Sequence, residues 1–454
     1  VEAFEPASQE ACGPEALEAY YAALKDSVVA RAARNGTTWV SSSSGWDSSL
    51  LLGMLVSELG PQSVRTLTGS MKYSEGTAVI NDFEITKINK ICAYYGLAPE
   101  VVDLDFKNPA AAPWWRESLK RSKARHTYAF NTFNAQRLSD RLKDVAGPGA
   151  TIFNGETSDS FHNFGFSQFV TFFHSVKSFT EYADKMNCYL YGPTYLRKVI
   201  DGTADADKVG IIFRKMNEAV SFREASADAT ARMRDYMLPL FYGSPRIPFA
   251  ETLANPALTA TAVENVRDFP FGVWDPEILG RITPETCYAA YIHLYHSFHS
   301  QGSTVNCNKW AMLENGHRWR MPFHDTRIVD ILSAAPESWG RGLDFNNVKF
   351  PLKWVARNKI DFPYEVLEEG PHSYLYDVIE GFSLFAEIMY RSGVTPWFKE
   401  VLAERPYRSI LSDTHFDLAY LDGLVDAYLA GREARGPDFN NLVSLALFCA
   451  TGWY

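Results

Sequence analysis

The sequence predicts an α/β fold: a parallel sheet flanked by helices, with a helical insertion and a set of C-terminal helices. Three observations predict it. A short β-branched and aromatic run, Trp39-Val40-Ser41, passes through small residues into an apolar-periodic segment ending near Glu58, which reads as strand, tight loop and helix. Strand and helix signals then keep alternating, the pattern of a parallel sheet with helices on both faces. Finally, a further strand, Thr151-Ile152-Phe153, opens into the small, acidic loop Asn154-Gly155-Glu156-Thr157-Ser158-Asp159-Ser160. Ligands of such sheets lie beyond the carboxyl ends of the strands, so the two strand-end loops are expected side by side.

The elements follow in order. Residues 14–34 place Ala16, Leu17, Tyr20, Tyr21, Leu24, Val28 and Val29 at helical spacing, and Asn35-Gly36 ends that helix. Residues 64–68 form a second strand, closed by Gly69-Ser70. A helix over residues 82–95 stops at Gly96, and a third strand covers 101–104. The Pro/Ala-rich residues 108–113 break the pattern, and 128–145 are helical again, ending at Gly147-Pro148-Gly149. Residues 165–285 carry aromatic runs, helical patches near 206–222 and proline turns, and read as helices and loops attached to the sheet. Residues 287–300 look helical and bring His293, His296 and His299 roughly to one face; no acid or cysteine completes a metal set, so a polar helix face is the favoured reading. Four helices close the chain, at 376–390, 397–403, 418–429 and 439–449.

Composition limits the function classes. The chain has 454 residues, enough for two or three domains and a sizeable core. Its net charge of −10 leaves no basic footprint for a nucleic acid. No apolar run approaches the roughly 18 residues of a membrane span. The first residues lack the regions of a signal peptide. Six scattered cysteines, Cys12, Cys92, Cys188, Cys287, Cys307 and Cys449, show no Cys-x-x-Cys spacing, so buried free thiols in a reducing cytoplasm are expected.

The loop Ser43-Ser44-Gly45-Trp46-Asp47-Ser48-Ser49 has small residues that let backbone N–H groups approach an anion. The helix behind it aims unpaired N–H groups and its positive dipole end at the same place. The serines add donors, and Asp47 can hold a divalent cation that shields phosphates. No Gly-Lys-Ser/Thr of the Walker type is present, so ordinary P-loop chemistry is not implied. The plain alternative is a serine-rich turn capping a helix.

This loop resembles the pyrophosphate loop, Ser-Gly-Gly-x-Asp-Ser-Ser, of N-type ATP pyrophosphatases, with Ser44 in place of the first glycine. The second loop resembles Ser-Gly-Glu-Gly-Ala-Asp-Glu of the asparagine synthetase family. It keeps Gly155, Glu156 and Asp159, while Asn154 and Ser160 replace the first serine and last acid. Gly316-His317-Arg318-Trp319-Arg320-Met321-Pro322-Phe323-His324-Asp325 resembles the family's Gly-Leu-Glu-Val-Arg-Val-Pro-Phe-Leu-Asp. Asn308-Lys309-Trp310-Ala311-Met312 stands where the family has Asp-Arg-x-Ser-Met, and Lys349-Phe350-Pro351-Leu352-Lys353 resembles its Lys-x-x-Leu-Arg. The chain is therefore similar, over roughly residues 14–370, to the synthetase half of asparagine synthetases and β-lactam synthetases. That resemblance implies the adenine nucleotide alpha hydrolase-like (PP-loop) fold. It divides the chain into a nucleotide-binding core (1–180), a helical and loop insertion (181–285), the rest of the synthetase domain (286–370) and C-terminal helices (371–454).

The resemblance further implies an ATP-dependent carbon–nitrogen ligase. ATP adenylates a carboxylate, pyrophosphate leaves, and an amide forms with ammonia or an amine. Ser43, Ser44, Gly45, Asp47, Ser48, Ser49, Asn154 and Gly155 would contact the nucleotide, and Asp47 and Asp159 would ligate Mg²⁺. Lys349 would stabilise charge as the amide forms; its plain alternative is a surface lysine. Arg318 stands in place of a family glutamate. An always-charged guanidinium cannot be a general base but can clamp a carboxylate or phosphate. The neighbouring His317 is a candidate base. The sequence reaches the first motif without the family's glutaminase half and its catalytic cysteine, so free ammonia, a substrate amine, a separate glutaminase subunit or a segment ahead of Val1 is the expected nitrogen source. The substrate is expected to be a small-molecule, glycan or peptide carboxylate. Two other readings compete: a tRNA thiolase, which predicts catalytic cysteines and a basic surface, and a non-catalytic binding or assembly subunit, which the altered motif positions favour.

Overall fold

The computed structural model describes residues 13–72, 79–105, 112–125, 132–162, 193–206, 211, 228–229, 231–233, 255–266, 282–286, 289–290, 292–293, 305–336, 339, 349–368, 390, 395–435 and 437–451. Its centre is β1 (Thr38–Ser41), a four-residue strand whose first three residues are buried. β1 pairs in parallel with β2 (Val64–Lys72) on one side and β4 (Thr151–Phe153) on the other. β2 pairs with β3 (Glu100–Asp105), and β4 with β5 (Arg318–Arg320). The order is β3-β2-β1-β4-β5, all parallel. The chain thus builds outward from β1 to β3, then returns to β4 on the opposite side of β1. That reversal of direction, between β1 and β4, is a topological switch point, the usual ligand position in open parallel sheets.

Alternate strand residues enter two separate cores, as side chains of period two must. Trp39, Leu67, Val102, Leu104 and Ile152 pack on one face with α4 (Ala112–Ala124) and α5 (Thr132–Ala146). Val40, Val64 and Phe153 pack on the other with α1 (Pro14–Arg31), α2 (Trp46–Leu59) and α3 (Asp82–Tyr94). The expected parallel sheet with helices on both faces is what the chain adopts.

α2 is apolar almost all round, with Leu50, Leu51 and Leu55 fully buried, as befits a helix enclosed on every side. Each such leucine contributes roughly 1.5–3 kcal/mol relative to exposure. A short helix, α6 (Ser158–Phe161), follows β4, and α7 (Pro193–Ile200) lies further along. α8 (Asn306–Glu314) leads into β5, and the turn Pro322–His324 leads into α9 (Thr326–Ser333). Asp325 caps α9 by accepting from the Arg327 N–H and pairs with Arg31 at 3.2 Å, while Ser27 Oγ donates to the Pro322 carbonyl at 2.8 Å. The Pro-Phe-His-Asp stretch is therefore bolted to α1. α10 (Phe350–Asn358) and α11 (Tyr364–Glu368) complete that face.

The C-terminal helices α12 (Thr395–Ala403), α13 (Tyr407–Ile410), α14 (Leu418–Leu429) and α15 (Pro437–Thr451) place Phe398, Leu402, Leu421, Val425 and Val443 in the same core as Trp39, Leu67 and Ile152. They extend the sheet's own layer. The expected helices at 397–403, 418–429 and 439–449 match them closely; the one at 376–390 lies outside the described residues, save residue 390. So do most of 165–285 and most of 287–300, including His296 and His299. Among the described cysteines, Cys92 and Cys307 are buried free thiols and Cys449 is a half-buried one. Among the described residues, no helix is long and apolar enough to cross a membrane.

Two expectations need correction. β2 does not stop before Gly69-Ser70 but runs through both to Lys72. Gly69 is there because β3 crowds it: a Cβ at Gly69 would lie 2.5 Å from Leu104 Cδ1. The glycine marks a close approach inside a strand, not a turn. The Pro/Ala-rich break also gives way sooner than its composition suggests, because α4 begins at Ala112 and buries Trp115 and Leu119.

Gly69→Ala should therefore destabilise the protein by about 1–3 kcal/mol through overpacking against Leu104. Urea unfolding checks this, and Leu104→Ala in the same background should relieve the clash.

Candidate functional site

The loops after β1 and β4 meet at the switch point. A Cβ at Gly155 would stand 2.9 Å from Asp47 Cβ and 3.1 Å from the Ser48 backbone nitrogen. Gly155 is required so that the second loop can lie against the first turn of α2. Its neighbour Thr157 adopts φ 73°, a left-handed conformation that a β-branched residue rarely takes. Thr157 stands where the resembled motif has glycine.

Asp47 lies at the convergence. Its Oδ2 accepts from Lys349 Nζ at 2.6 Å, and its Oδ1 accepts from Ser158 Oγ at 2.7 Å. Lys349 comes from 302 positions away and is 5 % exposed, which disposes of the surface-lysine alternative. It sits just before α10 with φ 57°. Of the three non-glycine residues with positive φ among the described residues, two, Thr157 and Lys349, thus flank Asp47. Each costs about 1–3 kcal/mol, and such strain collects at functional sites.

Lys353, one turn further along α10, places its ammonium 5.2 Å from the Trp46 ring centre. Burial, and then repulsion from Lys349, lowers its pKa, with Arg357 adding to that repulsion and Glu368 opposing it. Asp47, in the first turn of α2, thus pairs with Lys349, while Lys353 lies over the neighbouring Trp46 ring.

The serines divide their work. Ser48 Oγ donates to the Ser43 carbonyl at 2.9 Å, accepts from the Ser43 N–H at 3.0 Å and lies 3.1 Å from Ser43 Oγ. These bonds shape the loop. Ser43 Oγ also accepts from the Gly45 N–H at 3.3 Å, and the Ser49 N–H closes the first α2 turn onto the Gly45 carbonyl at 3.2 Å. Ser44 differs: its hydroxyl is fully buried and has no hydrogen-bond partner among the described residues. A buried unsatisfied hydroxyl costs about 1–3 kcal/mol unless a ligand atom meets it. Asn154 accepts from the Glu156 N–H at 2.6 Å, an Asx turn that shapes the second loop.

The donors present fit a triphosphate: a helix N-terminus, a buried hydroxyl with no partner among the described residues, and the Lys349 ammonium. For Mg²⁺, no group of three or more metal-ligating side chains occurs among the described residues. That ion commonly takes one or two carboxylates plus phosphate oxygens and water, which Asp47 can serve. Asp159 is the second residue of α6, directly after Ser158; its side chain lies outside the described residues.

The other expected residues stand elsewhere. Arg318 opens β5 level with Thr151, at the end of the sheet away from the loops, and is exposed. It is not joined to the Asp47–Lys349 pair. His317 is buried under α5, with Nε2 3.1 Å from the Ser139 carbonyl. A carbonyl only accepts, so Nε2 carries the proton and the ring is held away from the crevice. Burial lowers its pKa.

Sequence reasoning missed Tyr20, Ser158, His162 and Lys353. Ser158 and His162 have the i, i+4 spacing of one helix face, but nothing linked Tyr20 to them. Compared with protein-family models and with curated proteins, the sequence matches none.

Gly155→Ala should cost about 1–3 kcal/mol by forcing the loops apart. Thr157→Gly should instead gain about 1 kcal/mol by releasing the left-handed strain. Denaturant midpoints of the two variants, moving in opposite directions, check this.

Proposed function

We propose that the chain is a nucleotide-dependent enzyme of the PP-loop class, and more particularly an ATP-dependent ligase. In this reading it adenylates a carboxylate, releases pyrophosphate and forms an amide with ammonia or an amine, as the synthetase half of asparagine and β-lactam synthetases does. The observation that carries the reading is the 2.6 Å contact of Lys349 with Asp47 at the switch point, between two loops resembling that family's motifs.

A carboxylate is a poor acyl donor because its leaving group would be oxide. ATP supplies a better one, and Mg²⁺, held by Asp47, would screen the charge of the leaving pyrophosphate. The rest falls to the chain's residues. The first N–H groups of α2 and Ser44 Oγ bind phosphate oxygens. Lys349, already placed by Asp47, can shift its ammonium toward negative charge that develops beside it. Lys353 adds positive potential from the same helix. Gly155 lets the second loop close the crevice, which fixes reacting groups in line and excludes water. Arg318 has no part in this account.

A second reading, a non-catalytic binding subunit, gains support from one observation. Both oxygens of Asp47 already accept from protein donors, so the carboxylate is spoken for unless a ligand displaces one of them.

The test is pyrophosphate release from ATP and Mg²⁺ with a panel of carboxylates and ammonia or amines. Release that depends on the carboxylate is expected. Asp47→Asn and Lys349→Met should each abolish it, at a stability cost of up to about 3 kcal/mol for breaking a buried pair. Calorimetric binding of ATP with no release under any condition would favour the second reading, and no binding at millimolar ATP would sink the ligase reading.

A further inference from the structure

Behind Asp47 a line of buried side chains leads away from the crevice. Ser158 Oγ donates to Asp47 Oδ1 at 2.7 Å. His162 Nδ1 lies 2.9 Å from Ser158 Oγ, and His162 Nε2 lies 2.6 Å from the Tyr20 hydroxyl. Ser158 and Tyr20 are fully buried and His162 nearly so. α1 provides Tyr20, α2 provides Asp47, and α6 with its C-cap provides Ser158 and His162, while Phe323 packs edge-on against the His162 ring at 5.3 Å.

Chemistry fixes the direction of every bond. A carboxylate offers only lone pairs, so the Ser158 proton points at Asp47. His162 Nδ1 also lies 3.0 Å from the Ser158 carbonyl oxygen, another pure acceptor. Nδ1 therefore carries a proton, shared between the two oxygens of Ser158. With that nitrogen protonated in a neutral ring, Nε2 is the acceptor and the Tyr20 O–H is the donor. Burial, and then the charge of Asp47, raises the Tyr20 pKa well above its ordinary value, so the phenol keeps its proton. The opposite tautomer would set Nδ1 against a carbonyl lone pair. It would also turn the Ser158 proton toward the ring and leave two oxygens 2.7 Å apart with no proton between them. A charged ring would leave the Tyr20 proton without an acceptor among the described residues.

We propose that His162 is a positioning residue: Tyr20 and the Ser158 carbonyl lock its Nδ1–H tautomer, which holds the Ser158 hydroxyl as a donor to Asp47 and so sets the carboxylate that grips Lys349. All three donors point the same way, toward the negative charge, and bonds in such a line strengthen one another. The catalytic consequence rests on the ligase reading; the tautomer does not.

The experiment uses the full chain labelled with ¹⁵N-histidine, with His162 assigned from the signal lost in His162→Asn. At neutral pH His162 should show the neutral Nδ1–H tautomer, Tyr20→Phe should shift its Nε2 resonance, and Ser158→Ala its Nδ1 resonance. An Nε2–H tautomer or an imidazolium overturns the proposal whether or not the protein turns over ATP. In pyrophosphate release, His162→Gln should lower kcat on the order of 10-fold or more, as loss of a supporting hydrogen bond does. His162→Asn, whose amide can replace the Nδ1–H donor, should recover most of that loss. Equal loss in both variants, with unfolding curves like wild type, also overturns it. If no variant and no wild-type protein releases pyrophosphate while the tautomer is as stated, the ligase reading fails and the positioning of Asp47 stands.

Discussion

A carboxylate partly withdrawn from water needs protein donors in place of the water it has lost, and half-buried Asp47 meets that need with groups drawn from distant parts of the chain. Lys349 reaches Oδ2 from the start of α10, and Ser158 reaches Oδ1 from the start of α6. The carboxylate itself rides on the first turn of α2. Three helices that each follow a loop are thus tied at one atom group. The tie explains why the loops after β1 and β4 lie close enough that Gly155 can bear no side chain. It also explains why Lys349 tolerates a left-handed backbone: its ammonium is held at one end and α10 fixes it at the other.

The sheet makes this convergence possible. In a parallel sheet all the loops at one end follow strands, but most neighbouring loops are turned the same way by their helices. Only between β1 and β4 do the connections leave in opposite senses. β1 and β4 end within one residue of each other, because Phe153 pairs with Val40 and β1 runs on only to Ser41. Their loops therefore begin almost at the same height. The two cores hold this register from both sides, because Trp39 and Ile152 belong to one and Val40 and Phe153 to the other. A slip of one residue would exchange the two sets and ruin both faces.

Much of this was legible in the chain. Apolar periodicity gave the β1–α2 unit, β3, α5, β4 and the last three long helices, because each has a strong pattern and a clear stop such as Gly96 or Gly147. The failures have physical causes. Gly69 reads as a turn locally, yet its lack of a side chain answers to Leu104, 35 positions on by sequence numbering and invisible to local pattern. Of the site, Asp47, Ser44, Gly155 and Lys349 were found through motif spacing. Arg318 was chosen by its place in a motif, but strand register puts it at the wrong end of β5. Tyr20 and His162 escaped because tyrosine and histidine on apolar helix faces are ordinary core residues, and only the fold brings them together.

The distribution of strain bears on why the site is arranged this way. Thr157 and Lys349 each hold a left-handed conformation that costs about 1–3 kcal/mol, and Ser44 adds a buried hydroxyl without a partner among the described residues. A folded domain has a net stability of only about 5–15 kcal/mol, so these terms together are large. They persist because the layers on either side are well packed and leave the loops no alternative path. Concentrating the unfavourable terms at the strand ends has a consequence for binding. In the proposed nucleotide-binding reading, an anion that met Ser44 Oγ and the α2 N–H groups would relieve the cost of that buried hydroxyl. The same line of hydrogen bonds that fixes Asp47 ties it to the core: Tyr20, His162 and Ser158 are all buried, and moving Asp47 would take away the acceptor of the Ser158 hydroxyl.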